Sequence, residues 1–385
     1  MFSRTASRLR GDTNPLYRLR DDITRAGHVI LDLSSGNVTE NGILYPQEML
    51  EEILADASRE TRVYRPDSFG CLSAREAIAG YYLDRRVLIP PEQILLTPGT
   101  SLAYWYSFKL LADDGDEILC PRPSYPLFDY IAALSGVKLI PYRLVEGHGW
   151  DIDLDNLENS ISTRTRALVL ISPHNPTGHV AAANEIAAIA ELAVRHDLAI
   201  ISDEVFSEFL LERRDFPRPA GSGAPLVLTL NGFSKMLALP GIKFGWMGVT
   251  GDPDKVQPAL RALELISDTF LPVNEIVQAA APQLLRRGQR FLDGYVREIR
   301  RRWEVAHKVL EPATHWSYTA PDGGFYLTLR LPRDEEAAAE AILGKAHILV
   351  HPGHFYDIEP DHLVLSFVSE PESLRASLPR LLEHL

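Results

Sequence analysis

From about Pro91 onward, short apolar runs alternate with longer stretches whose apolar residues recur at helical spacing. The strand-like runs are Ile94 to Leu96, Glu117 to Cys120, Ala167 to Ile171, Leu198 to Ser202, Leu226 to Leu230 and Gly245 to Val249. Between them the pattern predicts helices over Leu102 to Leu111, Leu127 to Leu134 and Asn184 to His196. Strands that are apolar on nearly every residue, separated by helices, imply a mainly parallel sheet covered on both faces.

The pattern changes near Ile276. A run through Ala281 to Leu285 leads into an amphipathic stretch from Phe291 to Leu310, whose arginines 297, 300, 301 and 302 read as a solvated helix face. Short strand signals follow at Phe325 to Leu329, Ile348 to His351 and Leu363 to Phe367, with two further helical stretches. The expected fold class is therefore α/β for residues 46–285. A smaller α+β domain is expected from residues 1–45 and 286–385, because the N-terminal segment has little core of its own and must pack against the tail or a second subunit.

Composition narrows the partners. Thirty-nine Lys and Arg against 52 Asp and Glu give a net charge of −13, which disfavours nucleic acid or an anionic membrane surface and favours a small-molecule task. No apolar run approaches the roughly 18 residues of a membrane span, and no secretory signal is readable, so a cytoplasmic location is expected. The two cysteines, Cys71 and Cys120, need no disulfide framework and read as buried apolar fillers. Only seven lysines occur, which makes a lysine in an apolar setting informative.

Four segments place special residues at the C-terminal end of an expected strand, the edge where open α/β sheets bind ligands. Gly99, Thr100 and Ser101 open a helix and offer N–H groups and hydroxyls to an anion such as phosphate. Asn175 lies in the turn Ser172-Pro173-His174-Asn175-Pro176-Thr177-Gly178. Asp203 ends the run Ile200-Ile201-Ser202, where burial of a carboxylate needs a cationic partner. Lys235 ends Leu228-Thr229-Leu230-Asn231-Gly232-Phe233-Ser234. A phosphate cradle, a buried Asp, a hydrogen-bonding Asn and a buried lysine are together what a pyridoxal phosphate site requires.

These motifs, with Leu31-Asp32-Leu33-Ser34-Ser35-Gly36-Asn37 at one end and Leu363-Val364-Leu365-Ser366-Phe367 at the other, make the chain resemble a fold type I pyridoxal-phosphate enzyme of the class I/II aminotransferase family. The resemblance implies a large domain with a mainly parallel seven-stranded sheet of the aspartate aminotransferase type. It makes Lys235 the Schiff-base lysine and proton shuttle, pairs Asp203 with the pyridine nitrogen and sets Asn175 on the ring hydroxyl. Tyr125 would stack on the ring, and Gly99, Thr100, Ser101, Ser234 and Lys243 would hold the phosphate. Tyr64 would reach the phosphate of the neighbouring subunit, which implies a homodimer with shared sites. Gly36 and Asn37 would line the substrate side.

Four departures bear on the reaction. Phe206 stands where the family has a tyrosine that hydrogen-bonds the ring oxygen, so the imine should be harder to deprotonate. Gly232 stands where a serine is common, and Lys243 replaces an arginine, losing its bidentate fork. Val364 occupies the place of the arginine that grips the substrate carboxylate. Either the substrate lacks that group, or Arg65, Arg330 or His354 binds it. Amino transfer to or from an amine or amino acid is the leading expectation. Elimination at Cβ, decarboxylation or oxidative deamination of an atypical, sulfur-conjugated amino acid of specialised metabolism is the alternative. His351 and His354 have a metal-like spacing without a supporting acid or cysteine cluster, so no metal is expected.

Overall fold

The computed structural model describes residues 1–3, 5–6, 14–212, 215–310 and 316–385. Its main sheet holds eight strands: β1 (Ile94–Thr97), β2 (Glu117–Arg122), β3 (Lys138–Val145), β4 (Asp151–Ile152), β5 (Thr165–Ile171), β6 (Ala199–Asp203), β7 (Leu226–Gly232) and β8 (Gly245–Gly251). They lie in the order β1-β8-β7-β6-β5-β2-β3-β4. The pairs among β3, β2, β5, β6 and β7 are parallel, whereas β8 runs antiparallel to both neighbours and β4 is a two-residue antiparallel edge. The expected seven strands are thus present with a short eighth. Every residue of β6 and β7 is buried, because helices cover both faces: Thr100–Leu111 and Pro253–Asp268 on one side, Ala183–His196 on the other.

A second sheet comes from the tail: β9 (Ser317–Tyr318), β10 (Tyr326–Arg330), β11 (His351–Pro352) and β12 (His362–Ser366), ordered β9-β10-β12-β11 and antiparallel throughout. The N-terminal segment packs beside it in a separate two-stranded sheet. Leu31–Asp32 pairs in parallel with Ile348–Leu349, and the helix Pro15–Arg25 packs on the helix Glu335–Ala346.

One continuous helix, Glu275–Leu310, links the two sheets and contains Pro282. The expected boundary between residues 285 and 286 falls inside it. Its arginines are not all solvated: Arg302 is buried, with its Nε on Glu298 at 2.9 Å and a terminal nitrogen on the carbonyls of Asn41 and Val368. Burial is tolerable because a carboxylate and two carbonyls take the guanidinium's donors. Cys120 is a buried filler, whereas Cys71 is only half-buried, and its backbone N–H donates to Gln278.

Candidate active site

Strand register builds the site. Ile171, Asp203 and Leu230 are direct neighbours across β5, β6 and β7, so the turns that follow them emerge at one edge. Gly232 pairs with Gly245, which also pairs with Thr97 at the end of β1. A side chain on Gly232 would meet the Phe244 carbonyl oxygen at 2.7 Å and Gly245 Cα at 2.9 Å. Backbone lies too close there for the serine that the family resemblance leads one to expect.

Lys235 sits in the single helical turn Phe233–Met236 that caps β7. Its amine lies 5.6 Å from the Phe206 ring centre and 5.9 Å from that of Phe325. Burial brings the amine down to about 8, because a cation in an apolar setting loses hydration that no carboxylate here replaces. Asp203 accepts from the Tyr104 hydroxyl at 2.8 Å and from the Val205 backbone N–H at 3.0 Å. Burial nonetheless pushes its carboxyl up to about 6. The carboxamide oxygen of Asn175 is buried without a hydrogen-bond partner. An amine, a carboxylate and an amide held short of their preferred partners are the mark of a site prepared for a polar ligand.

Gly99 caps the helix Thr100–Leu111 at φ +146°, a conformation that favours glycine, and open space lies above it. Thr100 is half-buried and Ser101 exposed, so the first turn of this helix presents hydroxyls and unpaired N–H groups to that space. Ser234 is half-buried, and Lys243 is exposed in a left-handed conformation. Tyr125 stands 44% exposed, edge-on to Phe128. Its phenol titrates high through burial and the charge of Asp203.

The proposed substrate residues do not all converge. Gly36 is buried against the Tyr326 hydroxyl, and Asn37 caps the short turn Val38–Asn41 by accepting from Thr39. Arg330 bonds Glu146 at 3.3 Å and lines a separate cleft with Arg143 and His362. His354 is held by Glu335 at 2.9 Å. Val364 is fully buried in an apolar cluster. Tyr64 is 69% exposed and shares a surface cleft with Arg65, whose backbone N–H donates to Glu275. Sequence reasoning missed Tyr104, which looks like one more core aromatic of an apolar helix. It also missed Tyr326 and the trio Tyr17, His351 and Tyr356.

The residues fit pyridoxal phosphate. The unpartnered Asn175 amide suits a ring hydroxyl, the buried Asp203 suits a ring nitrogen, and the open cradle above Gly99 suits a phosphate. Comparison with known proteins agrees. The family model for aminotransferase class I and II matches residues 28–381. The alanine aminotransferase of Mycobacterium tuberculosis is 29% identical over 386 aligned positions, covering 95% of this chain and 88% of the relative. The glutamate-pyruvate aminotransferase of Haemophilus influenzae is 27% identical, covering 96% and 94%. Among solved structures, an alanine aminotransferase from Pyrococcus furiosus superposes with a TM-score of 0.93 at 25% identity, covering 100% of this chain and 99% of that one. A Thermus thermophilus aspartate aminotransferase with maleate gives 0.88 at 26% identity, covering 100% of both. With the fold, the sheet-edge groups and the match over nearly its whole length in accord, the chain belongs to the class I and II aminotransferases, enzymes that depend on pyridoxal phosphate.

Proposed function

We propose that the protein transfers an amino group to or from the α-carbon of a small amine or amino acid, using Lys235 as the base. It acts as a cytoplasmic homodimer, with residues 46–285 forming the cofactor domain and residues 1–45 and 286–385 the smaller one. When bound, pyridoxal phosphate supplies an aldehyde that takes up the amino group and a ring that draws electrons from the bond broken at the adjacent carbon. Lys235, with its amine brought down to about 8, presents enough neutral base near pH 7 to bond that aldehyde and later to carry the proton. Asp203 would hold a proton on the ring nitrogen, and Asn175 would hydrogen-bond the ring hydroxyl through its carboxamide. Tyr125 covers one face of the ring, while buried Phe206 gives the ring oxygen no donor.

Gly99, Thr100, Ser101, Ser234 and Lys243 hold the phosphate, the last as a point charge. Tyr64, exposed on this subunit, reaches the phosphate of the next. The observation that carries the reading is the half-buried Lys235 at the same sheet edge as the buried Asp203 carboxylate. Borohydride treatment after loading with cofactor should fix the label on Lys235, and a single turnover should leave stoichiometric pyridoxamine phosphate. Label elsewhere would sink the assignment of the lysine. A second reading, elimination or loss of carbon dioxide, is favoured by one fact: buried Val364 cannot pin a carboxylate in the ring plane. Release of ammonia or carbon dioxide without pyridoxamine phosphate would select it.

A further inference from the structure

Next to Lys235 and Phe206 stands a wall of rings and hydroxyls. The Tyr326 ring lies 6.4 Å from that of Phe206, edge-on, and Phe206 itself neighbours the lysine amine. The Tyr326 hydroxyl sits so close to Gly36 that an added Cβ would fall 2.3 Å from it. His351 bonds the Tyr17 hydroxyl through Nε2 at 2.9 Å and the Tyr356 hydroxyl through Nδ1 at 3.1 Å. The Tyr17 ring stacks on Phe355 at 6.1 Å. Burial lowers the His351 imidazole to about 4, so at neutral pH it offers a donor and an acceptor but no charge.

An exposed acid, Asp32, borders this wall, and Arg20, which lies over the Tyr17 ring at 4.9 Å, is paired with Asp21 at 2.7 Å. Asp32 spends Oδ1 on the Ser34 N–H, the Ser34 hydroxyl and the Ser35 N–H. Among the described residues nothing hydrogen-bonds its Oδ2. Its field reaches Tyr17, Tyr326, Tyr356 and His351, and it favours the protonated form of each. Most side chains that could serve a carboxylate are engaged elsewhere, Arg330 on Glu146, His354 on Glu335 and Arg122 on Asp357, whereas Arg65 spends only its backbone N–H, on Glu275. A carboxylate placed here would meet phenols, a neutral imidazole and an acid, which is a poor exchange for water.

We propose that the site takes a primary amine without an α-carboxylate, its aryl or alkyl body lying on the wall of Tyr17, Tyr326 and Tyr356, with Asp32 rejecting anionic substrates. The inference rests on the amino-transfer reading above. In the balanced step the donor's C–N bond is replaced by C=O and one of its α-hydrogens leaves as a proton through Lys235. The two electrons of that C–H bond and the amino nitrogen end on the cofactor, to whose aldehyde carbon Lys235 returns the proton as its own bond there is broken, and water supplies the oxygen of the carbonyl product.

The test follows the visible absorption of the cofactor-loaded enzyme with phenethylamine and with phenylalanine, which share an aryl body and differ in the carboxylate. In parallel, calorimetry measures binding of two unreactive analogues, 3-phenylpropanol and 3-phenylpropanoate. The amine should convert at least about tenfold faster, and the alcohol should bind about tenfold tighter than the acid. Asp32→Asn, which can keep the Oδ1 contacts, should narrow both gaps several-fold, roughly what removing one nearby charge does. Faster conversion of phenylalanine, tighter binding of the acid, or no binding of either analogue would overturn the proposal. So would selective loss of phenylalanine conversion in Arg65→Ala, which would identify a carboxylate partner. If neither donor converts while the alcohol still binds better, the pocket's preference stands and the amino-transfer reading fails.

Discussion

The two walls around Lys235 are made in opposite ways. On the large-sheet side, Asp203, Asn175 and Lys235 follow the ends of parallel strands aligned by register; the Asn175 carbonyl oxygen has no partner, and the Asp203 carboxylate and the Lys235 amine are buried without an opposite charge. On the small-sheet side, Tyr17 reaches across the chain to His351, which also bonds nearby Tyr356, so the three satisfy one another. The first wall stores free energy and the second relaxes it. Burial pushes Asp203 up to about 6 and brings Lys235 down to about 8, so both charges are held against their preference. Reactive groups kept short of water and partners cost stability in the empty protein, whereas a settled hydroxyl network only shapes the space a substrate occupies.

Replacing Asp203 by Asn should break that contrast most visibly. With the proton on the ring nitrogen no longer held, turnover should fall on the order of a thousandfold, about 4 kcal/mol. The cofactor-free protein should move the other way. Because the carboxyl titrates near 6 in the fold against 3.8 as a free group, the folded state binds the proton more tightly. Wild-type stability is therefore lost as the pH rises through roughly 4 to 6, and Asn removes that loss. Urea unfolding without cofactor should show the variant more stable by about 1–3 kcal/mol at pH 7 and by little at pH 4. Equal stability at both pH values would mean that this wall stores nothing at Asp203.

Gly232→Ser has a smaller expected effect. The added Cβ would press on the Phe244 carbonyl and on Gly245 Cα, both backbone atoms. The β7–β8 pairing must then shift, at a cost of about 1–3 kcal/mol. Thermal unfolding of the cofactor-free variant should show the drop directly. An unchanged melting temperature would show that the sheet edge yields easily and that the glycine answers no packing demand.

How much could be read beforehand follows the same division. β5, β6 and β7 are apolar on almost every residue, and the functional groups directly follow them, so one pattern located both sheet and site. β3 escaped because it lies near the sheet edge, mixes exposed with buried residues and contains Pro141. The helix Glu275–Leu310 read as two pieces because Pro282 and Gly288 interrupt its periodicity. Gly288 is nonetheless buried against the Tyr45 hydroxyl and Leu237. Arg302 passed for a surface charge because two of its partners, the Asn41 and Val368 carbonyls, are distant in sequence. The Tyr17–His351 bond spans 334 positions, and no local pattern carries such a pairing. Arg330 and His354 carried the right charge for a substrate clamp, and only tertiary structure shows Glu146 and Glu335 holding them.

The finest probe of the contrast is Tyr104, a residue of the first wall that behaves like the second. Its hydroxyl donates to Asp203 Oδ2 at 2.8 Å from a fully packed position between the rings of Phe108 and Phe128. Donation to a carboxylate favours its ionised form, so the phenol offsets part of the burial that pushes Asp203 upward. Tyr104→Phe keeps the ring and removes that donor. It should cost about 1 kcal/mol, carry the Asp203 titration up by about one further unit and weaken cofactor affinity at pH 7 by up to roughly tenfold. The pH profile of unfolding without cofactor separates this from a plain packing loss. A packing loss lowers stability equally at every pH, whereas loss of the donor displaces the acid-side inflection upward. A uniform decrease with no displacement would leave Tyr104 as core filler and return the control of Asp203 to burial and the Val205 N–H alone.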